Sequence, residues 1–342
     1  MKAIRMHQHG GPDVLRYEDA PDPVAACGEI VVRVRACALN HLDLFVRAGI
    51  PGVKIPLPHI PGSDIAGEIA ALGEGVADLI VGQRVVLSPG VSCGQCAACD
   101  AGQENFCPRY TVLGYRMDGG YAQQVKAPAA NALPMPANLD FAAAAGVPLV
   151  FLTAWHMLMA RADLRAGQDV LVVAASSGVG SAAVQIAKLF SCRVFATAGG
   201  ERKLELARQL GADHVFDHYR QNFAAEIKAI APRGVDVVVE HVGQATWEQS
   251  VRALASGGTL VTCGATTGYQ AALDLRHLFA RQLRFVGSYM GSRSELRDLL
   301  PFVASGHLRP VVDRIFPLAE AAAAHRYLEE KRQFGKVVLQ VD

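Results

Sequence analysis

The chain has 342 residues, room for two domains, and 51% of them are hydrophobic, enough to bury substantial cores. Its 33 basic and 32 acidic side chains leave a net charge of +1 with no long block of either sign, so neither nucleic acid nor a membrane surface is expected as the main partner. The start, MKAIRMHQHGG, lacks the apolar core of a signal peptide, and the longest charge-free stretch, residues 170–187, is interrupted by SSGVGS, so a soluble, cytoplasmic protein is expected.

In chain order, EIVVRVRACAL (29–39) and GQRVVLSPG (82–90) read as strands bounded by turns, and the first part of the chain reads as mostly β. Next comes VSCGQCAACDAGQENFCP (91–108), with Cys93, Cys96, Cys99 and Cys107 spaced C-x2-C-x2-C-x7-C. Four thiolates satisfy tetrahedral zinc and leave no open position, so one structural zinc per chain is expected. An iron–sulfur cluster is the alternative, but the ferredoxin-like run closes after three residues and this one after seven. Four free thiols is the other alternative. Cys27, Cys37, Cys192 and Cys263 are scattered and read as small buried apolar residues. A disulfide framework does not suit an intracellular-looking chain of this size.

The pattern changes after NLDFAAAAGVP (138–148). QDVLVVAA, CRVFATA, HVFD, GVDVVVEHVG, GGTLVTCGA and QLRFVGSYM read as six strands, with helical stretches such as VGSAAVQIAKLF and RKLELARQLGA between them. This alternation predicts βαβ units and a doubly wound parallel sheet over residues 147–291. The tail carries a helical stretch near SELRDLLPFVASG and the strand-like GKVVLQV. It is too short for a domain, so residues 292–342 are assigned with 1–146.

Ligands of open parallel sheets bind beyond the C-terminal strand ends. The first βα turn, AASSGVGS, is built of small residues that let a backbone approach a pyrophosphate at the helix N-terminus. Against G-x-G-x-x-G the key positions hold Ala175, Ser177 and Gly180, with Ser176, Gly178 and Val179 completing the candidate cofactor turn. An ordinary strand–helix turn is the alternative. At the end of the second strand, FATAGGERK places Ala198 where NAD sites carry an acid for the ribose hydroxyls. Gly199 and Gly200 leave room, and Arg202 and Lys203 suit a 2′-phosphate, so NADP(H) is favoured over NAD(H). A solvated start to the next helix is the alternative reading of those cations.

Together these segments, with GPDVLRYED, ACALNHLDLFVRAG (36–49), PHIPGSDIAGEI (58–69), DGGYAQQV (118–125), GVPLVFLTAWHML (146–158) and FGKVVL, resemble the medium-chain dehydrogenase/reductase superfamily along essentially the whole chain. The resemblance implies a GroES-like β domain, completed by the C-terminal tail, beside a Rossmann domain. It also implies three catalytic-zinc positions, which here hold Asn40, Ser63 and Leu149, with Thr153 packing near the nicotinamide. None of the three is a zinc ligand. ALNHLD and PGSD look instead like the quinone oxidoreductase branch, which works without catalytic metal. The rival is a rearranged zinc site that recruits Cys37, His41, His59 or Asp64.

Without a Lewis acid, hydride transfer relies on positioning and on hydrogen bonds to the oxygen where charge develops, which suits a quinone or an α,β-unsaturated carbonyl. The candidate polar groups are Asn40, His41, Asp43, Ser63 and Asp64, with Asn40 orienting the carbonyl, His41 relaying a proton, Asp43 pinning the loop and Asp64 capping or pairing. Phe45 stands near where some relatives carry Tyr, so solvent is left as the proton source. The alternatives are an alcohol dehydrogenase with rearranged zinc and a cofactor-binding protein without turnover. The sixth strand is expected at a sheet edge, where relatives pair symmetrically, so a homodimer or homotetramer is expected.

Overall fold

A computed structural model describes residues 1–342. The chain divides into two compact units, Met1–Leu149 with Gly291–Ser305 and Pro310–Asp342, and Val150–Met290 with Gly306–Arg309. The tail is therefore interrupted: Gly306–Arg309 goes with the second unit, where the Gln185 carboxamide clamps the Arg309 backbone from both sides (Arg309 N to Oε1 2.8 Å, Nε2 to Arg309 O 3.0 Å).

The first unit is built on a mostly antiparallel sheet in the order Val312–Pro317, Lys336–Gln340, Glu29–Ala38, Asp64–Leu72, Arg84–Leu87, Ala132–Pro134, with Gln124–Pro128 paired to the start of Glu29–Ala38. Its long strand is β-branched and apolar (EIVVRVRACA), the composition that favours a pleated, buried surface. Ile30, Val32, Val34 and Cys37 enter one core with Ile65, Ile69, Val85, Leu87 and Tyr121. The helix Ala321–Glu329 adds Ala321, Ala324 and Leu328 to it.

The second unit is a six-stranded, all-parallel sheet in the order His214–Asp217, Arg193–Ala198, Asp169–Val172, Val235–Glu240, Leu254–Thr262, Arg284–Gly287. In sequence terms this is 3-2-1-4-5-6, the dinucleotide-binding order, with its switch point between the first and fourth strands. The sixth strand lies at the edge. No helix in the chain is long and apolar enough to cross a membrane.

Candidate active site and metal centre

Sheet register assembles the polar centre of the first unit. Ala38 pairs with both Val338 and Asp64 in antiparallel ladders. Continuing each ladder by two residues sets Asn40 opposite Lys336 on one side and Gly62 on the other. Three distant segments thus meet at one point. Lys336 Nζ donates to Leu39 O (2.7 Å), Asn40 Oδ1 (2.7 Å) and Asp64 Oδ2 (2.8 Å). Asn40 Nδ2 donates to the same Asp64 oxygen at 3.0 Å, and the Leu149 amide donates to Asp64 Oδ1 at 2.6 Å. The Lys336 and Asp64 side chains are 3% and 0% exposed. A buried charge pair needs this density of hydrogen bonds to offset its desolvation.

Asp43 organises the adjoining loop. As the third residue of the helix His41–Ala48 its carboxylate accepts the Asn40 amide (2.7 Å), one half of a capping box, and also the Gly62 amide (3.1 Å). Burial pushes this carboxyl up to about 7, helped by the Asp64 charge and opposed by the two amides and Lys336. Gly62 has φ 105°, and a Cβ there would lie 2.4 Å from Tyr121 Cδ1 and 2.8 Å from Cys37 Sγ, so only glycine lets the strand approach this closely. The Tyr121 hydroxyl lies 3.2 Å from His325 Nε2, while Arg47 Nη1 is 3.1 Å from His325 Nδ1; burial and the nearby Asp43 charge drive the Tyr121 phenol well above its ordinary range. Burial, with Arg47 beside it, holds the His325 imidazole down at about 3, so it is neutral.

The other sequence candidates sit as follows. Ser63 is buried and its hydroxyl has no partner. His41 is half-buried at the first position of the helix, and Phe45 is exposed on it. Thr153, a residue of the second unit, lies in the helix Pro148–Trp155, buried with its hydroxyl unpartnered. Cys37 is fully buried, and burial next to Asp43 and Asp64 drives its thiol well above the ordinary range. His59 spends Nε2 on Gly114 O (3.0 Å), with Nδ1 3.6 Å from Asp118. Cys37, His41, His59 and Asp64 do not converge as a ligand set; the one group of three or more such side chains that does is the cysteine lobe. Sequence reasoning placed FGKVVL in the tail strand but gave Lys336 no role, and it passed over Tyr121 in DGGYAQQV.

In the second unit the turn after the first strand has the small-residue build that a cofactor needs. Ser177 caps the helix Gly178–Leu189, its Oγ accepting Gly180 N at 2.8 Å and lying 3.2 Å from His241 Nε2. A Cβ on Gly180 would lie 2.4 Å from Ala174 O, the close helix–strand approach that this position serves in dinucleotide folds. Ala175 is buried and Ser176 and Val179 are partly exposed. Ala198 is buried at the end of its strand, followed by Gly199 and Gly200 and then Arg202 and Lys203 in the first turn of the helix Glu201–Gln209. Two further residues reach this loop. Asp217 accepts Gly200 N (3.2 Å) and Tyr219 N (2.9 Å); burial opposes its charge, but these amides and Arg220 hold the carboxyl below the usual range. Tyr219, 73% exposed, lies against Gly199. Both could have been sought in HVFDHYR, at the end of the third strand beside the second. Glu240, fully buried at the end of the fourth strand, accepts the Val242 and Gly243 amides and the Thr246 and Ser250 hydroxyls.

The cysteine lobe brings the four Sγ atoms of Cys93, Cys96, Cys99 and Cys107 within 4.8 Å of one another. The Cys93–Cys99 and Cys96–Cys99 separations, 3.9 and 3.6 Å, match the roughly 3.8 Å edge of a tetrahedron with Zn–S of about 2.3 Å. Hydrogen bonds from the Gln95 amide and Arg109 lower the Cys93 thiol to about 6, and the Cys93 and Arg109 amides donate to Cys107 Sγ. The donor set fits zinc and leaves no open position. Around Asn40 the set does not fit: an amide, a hydroxyl and a leucine stand at the ligand positions that the resemblance implies, and the nearby carboxylate is held by an ammonium.

A family model described as alcohol dehydrogenase GroES-like domain matches residues 26–137, and one described as zinc-binding dehydrogenase matches residues 178–305. The chain is 30% identical to the quinone oxidoreductase of Rattus norvegicus over 99% of this chain and 97% of that protein. It is 33% identical to an alcohol dehydrogenase of Geobacillus stearothermophilus over 100% of both. A solved structure of an NAD-dependent alcohol dehydrogenase superposes with a TM-score of 0.97 at 48% identity, covering 100% of both chains.

Proposed function

The chain belongs to the medium-chain dehydrogenase/reductase superfamily and is a nicotinamide-dependent oxidoreductase of that type, and we propose that it is an NADP(H)-dependent reductase of quinones or α,β-unsaturated carbonyls that uses no catalytic metal. The observation that carries the reading is the Lys336–Asp64–Asn40 cluster, in which a cation already engages the carboxylate and the remaining positions offer no zinc ligand. The bound cofactor supplies the hydride. A conjugated acceptor takes it at carbon and spreads the resulting charge onto the carbonyl oxygen, so a neutral hydrogen-bond donor at that oxygen serves in place of a Lewis acid. Asn40 is that donor, and water provides the proton. The 2′-phosphate reading rests on Ala198, Arg202 and Lys203, joined by Tyr219 beside Gly199. One zinc per chain, held by the four cysteines, braces the lobe.

Alcohol dehydrogenation is the second reading, favoured by the 48% identity to a structure described as an NAD-dependent alcohol dehydrogenase. One experiment separates the two. Metal content is measured on the purified protein, and cofactor turnover is followed with menadione, 2-cyclohexen-1-one and simple alcohols. The reductase reading expects one zinc per chain, NADPH oxidation with the conjugated acceptors and no NADP+ reduction with alcohols. Two zinc ions per chain, or alcohol oxidation abolished by chelation with the fold intact, would overturn it.

A further inference from the structure

We propose that Lys336 is the positioning residue of the reducing site, holding the Asn40 carboxamide so that one Nδ2 hydrogen faces the substrate carbonyl oxygen. The proposal rests on the reductase reading above. The Lys336 ammonium has three, and three acceptors lie at 2.7–2.8 Å: Leu39 O, Asn40 Oδ1 and Asp64 Oδ2. None is left for a ligand, so Lys336 acts only through its neighbours.

Its first neighbour is an amide with a fixed orientation. Asn40 Oδ1 faces the cation and Nδ2 faces the Asp64 carboxylate. The flipped rotamer would set NH2 against ammonium and carbonyl against carboxylate, two repulsive contacts in place of two charge-assisted bonds. Nδ2 has two hydrogens and Asp64 takes one; no protein group takes the other. Asn40 retains 7% exposure while the ion pair beneath it is nearly sealed. The cluster's one unspent donor is therefore on its most accessible member.

The Lys336–Asp64 pair is formally neutral, so it works by orientation and polarisation and not by net charge. An ammonium on Oδ1 draws electron density through the amide and strengthens the opposite N–H as a donor. As the hydride and its electron pair arrive at the conjugated carbon, the C=C π pair moves toward the carbonyl oxygen, and the N–H···O bond strengthens there without Asn40 losing its proton. A proton from water then completes the reduced product. The acceptor class is an oxygen in conjugation, an enone or a quinone.

The test is a double-mutant comparison in the full chain. Lys336→Met with Asp64→Asn removes both charges together, keeps an acceptor oxygen for the Leu149 amide and frees the Asn40 amide to rotate. With NADPH and menadione this pair is expected to lower kcat about a hundredfold, the scale of losing one oriented donor, with the KM for NADPH unchanged. Asn40→Ala is expected to lower kcat similarly. Adding the pair to Asn40→Ala is expected to cost less than threefold more, because the lever has nothing left to move. A further hundredfold loss on the Asn40→Ala background, or an unchanged kcat in the pair variant, would overturn the proposal. If the neutral pair does not fold, Lys336→Arg, which keeps the charge but not the three-point geometry, decides by the same comparison. A second readout needs no turnover: 4-nitrophenolate, followed by its visible absorbance, is expected to bind the wild type about tenfold more tightly than the pair variant. Equal binding overturns the proposal. A wild type that oxidises no NADPH with any conjugated acceptor removes the reductase reading alone, and the phenolate comparison still decides this one.

Discussion

Exchanging Asp43 for Asn tests how the loop at the site is held. The carboxyl is fully buried, receives the Asn40 and Gly62 amides, and is faced by Tyr121, Cys37, Asp64 and Lys336. Burial raises it from 3.8 to about 7. Between those values the folded chain keeps a proton that the unfolded chain has released, so this group's contribution to stability falls as pH rises and levels off above the folded value. From pH 5.5 to 8.5 the integrated loss spans about 1.5 pH units, or about 2 kcal/mol. His325 runs the other way: held down at about 3, it stays neutral in the fold while the unfolded imidazole protonates, so its contribution is lost as pH falls below the ordinary histidine range. His59 and His241, both lowered by burial, share that direction. These histidines are common to both proteins and drop out of the difference. Urea midpoints of wild type and Asp43→Asn at the two pH values are the assay. The variant, which keeps one acceptor oxygen but does not titrate, is expected to gain about 2 kcal/mol on the wild type in moving from pH 5.5 to 8.5. A difference between the two proteins that does not change with pH would refute the reasoning.

Ala198→Asp should shift preference from NADPH toward NADH, because a carboxylate there repels a 2′-phosphate and accepts ribose hydroxyls; tighter NADH than NADPH binding by the unmodified protein, read by cofactor fluorescence, would sink the NADP(H) proposal. Cys99→Ser should lower the melting temperature and zinc content while the molecules still folded retain most of their kcat, since on the structural-zinc proposal the thiolates brace the lobe and leave no position open to substrate. The edge strand Arg284–Gly287 follows a helix with Leu275 and Phe279 exposed at 65% and 70%, so we expect a homodimer or homotetramer, and a monomer by light scattering at micromolar concentration would count against that.

What the sequence made legible was what lies close along the chain. The cysteine lobe gathers its four thiols from fifteen residues, and spacing alone carries tetrahedral chemistry. The cofactor turn is equally local, with a strand, a capping serine and a helix in one run, and the parallel strands announce themselves as apolar stretches bounded by turns. The cluster around Asn40 was only half visible. Asn40, Asp43 and Asp64 stand near one another in sequence, but Lys336 is 272 residues from Asp64 and meets it only through the register of two ladders that share Ala38. In GKVVLQV it reads as an ordinary lysine at a strand end. Tyr121 and His325 escaped for the same reason, being 204 residues apart. The assignments of His41 as a proton relay and Asn40 as the carbonyl donor came from position alone; the cluster supplies a physical reason for the second.

Stability alone does not account for an ammonium in that place. Two unit charges this deeply buried lose solvation that their mutual attraction barely restores, and apolar replacements of similar volume are often as stable. Each hydrogen of Lys336 is nonetheless met, and the acceptors are a backbone carbonyl, an amide oxygen and a carboxylate, three groups of different geometry on two segments, Leu39–Asn40 and the strand at Asp64. Such an arrangement specifies position more than it adds free energy, since any shift of the loop at Asn40 breaks a charged bond in a dry interior. The Asp43 carboxylate fixes the same loop from the other side through two backbone amides. A site that lets a metal set the geometry of its ligands can tolerate a looser protein frame. On the metal-free reading proposed above, the frame itself carries that task, with the Asp43 carboxyl on one side of the loop and the Lys336 ammonium on the other.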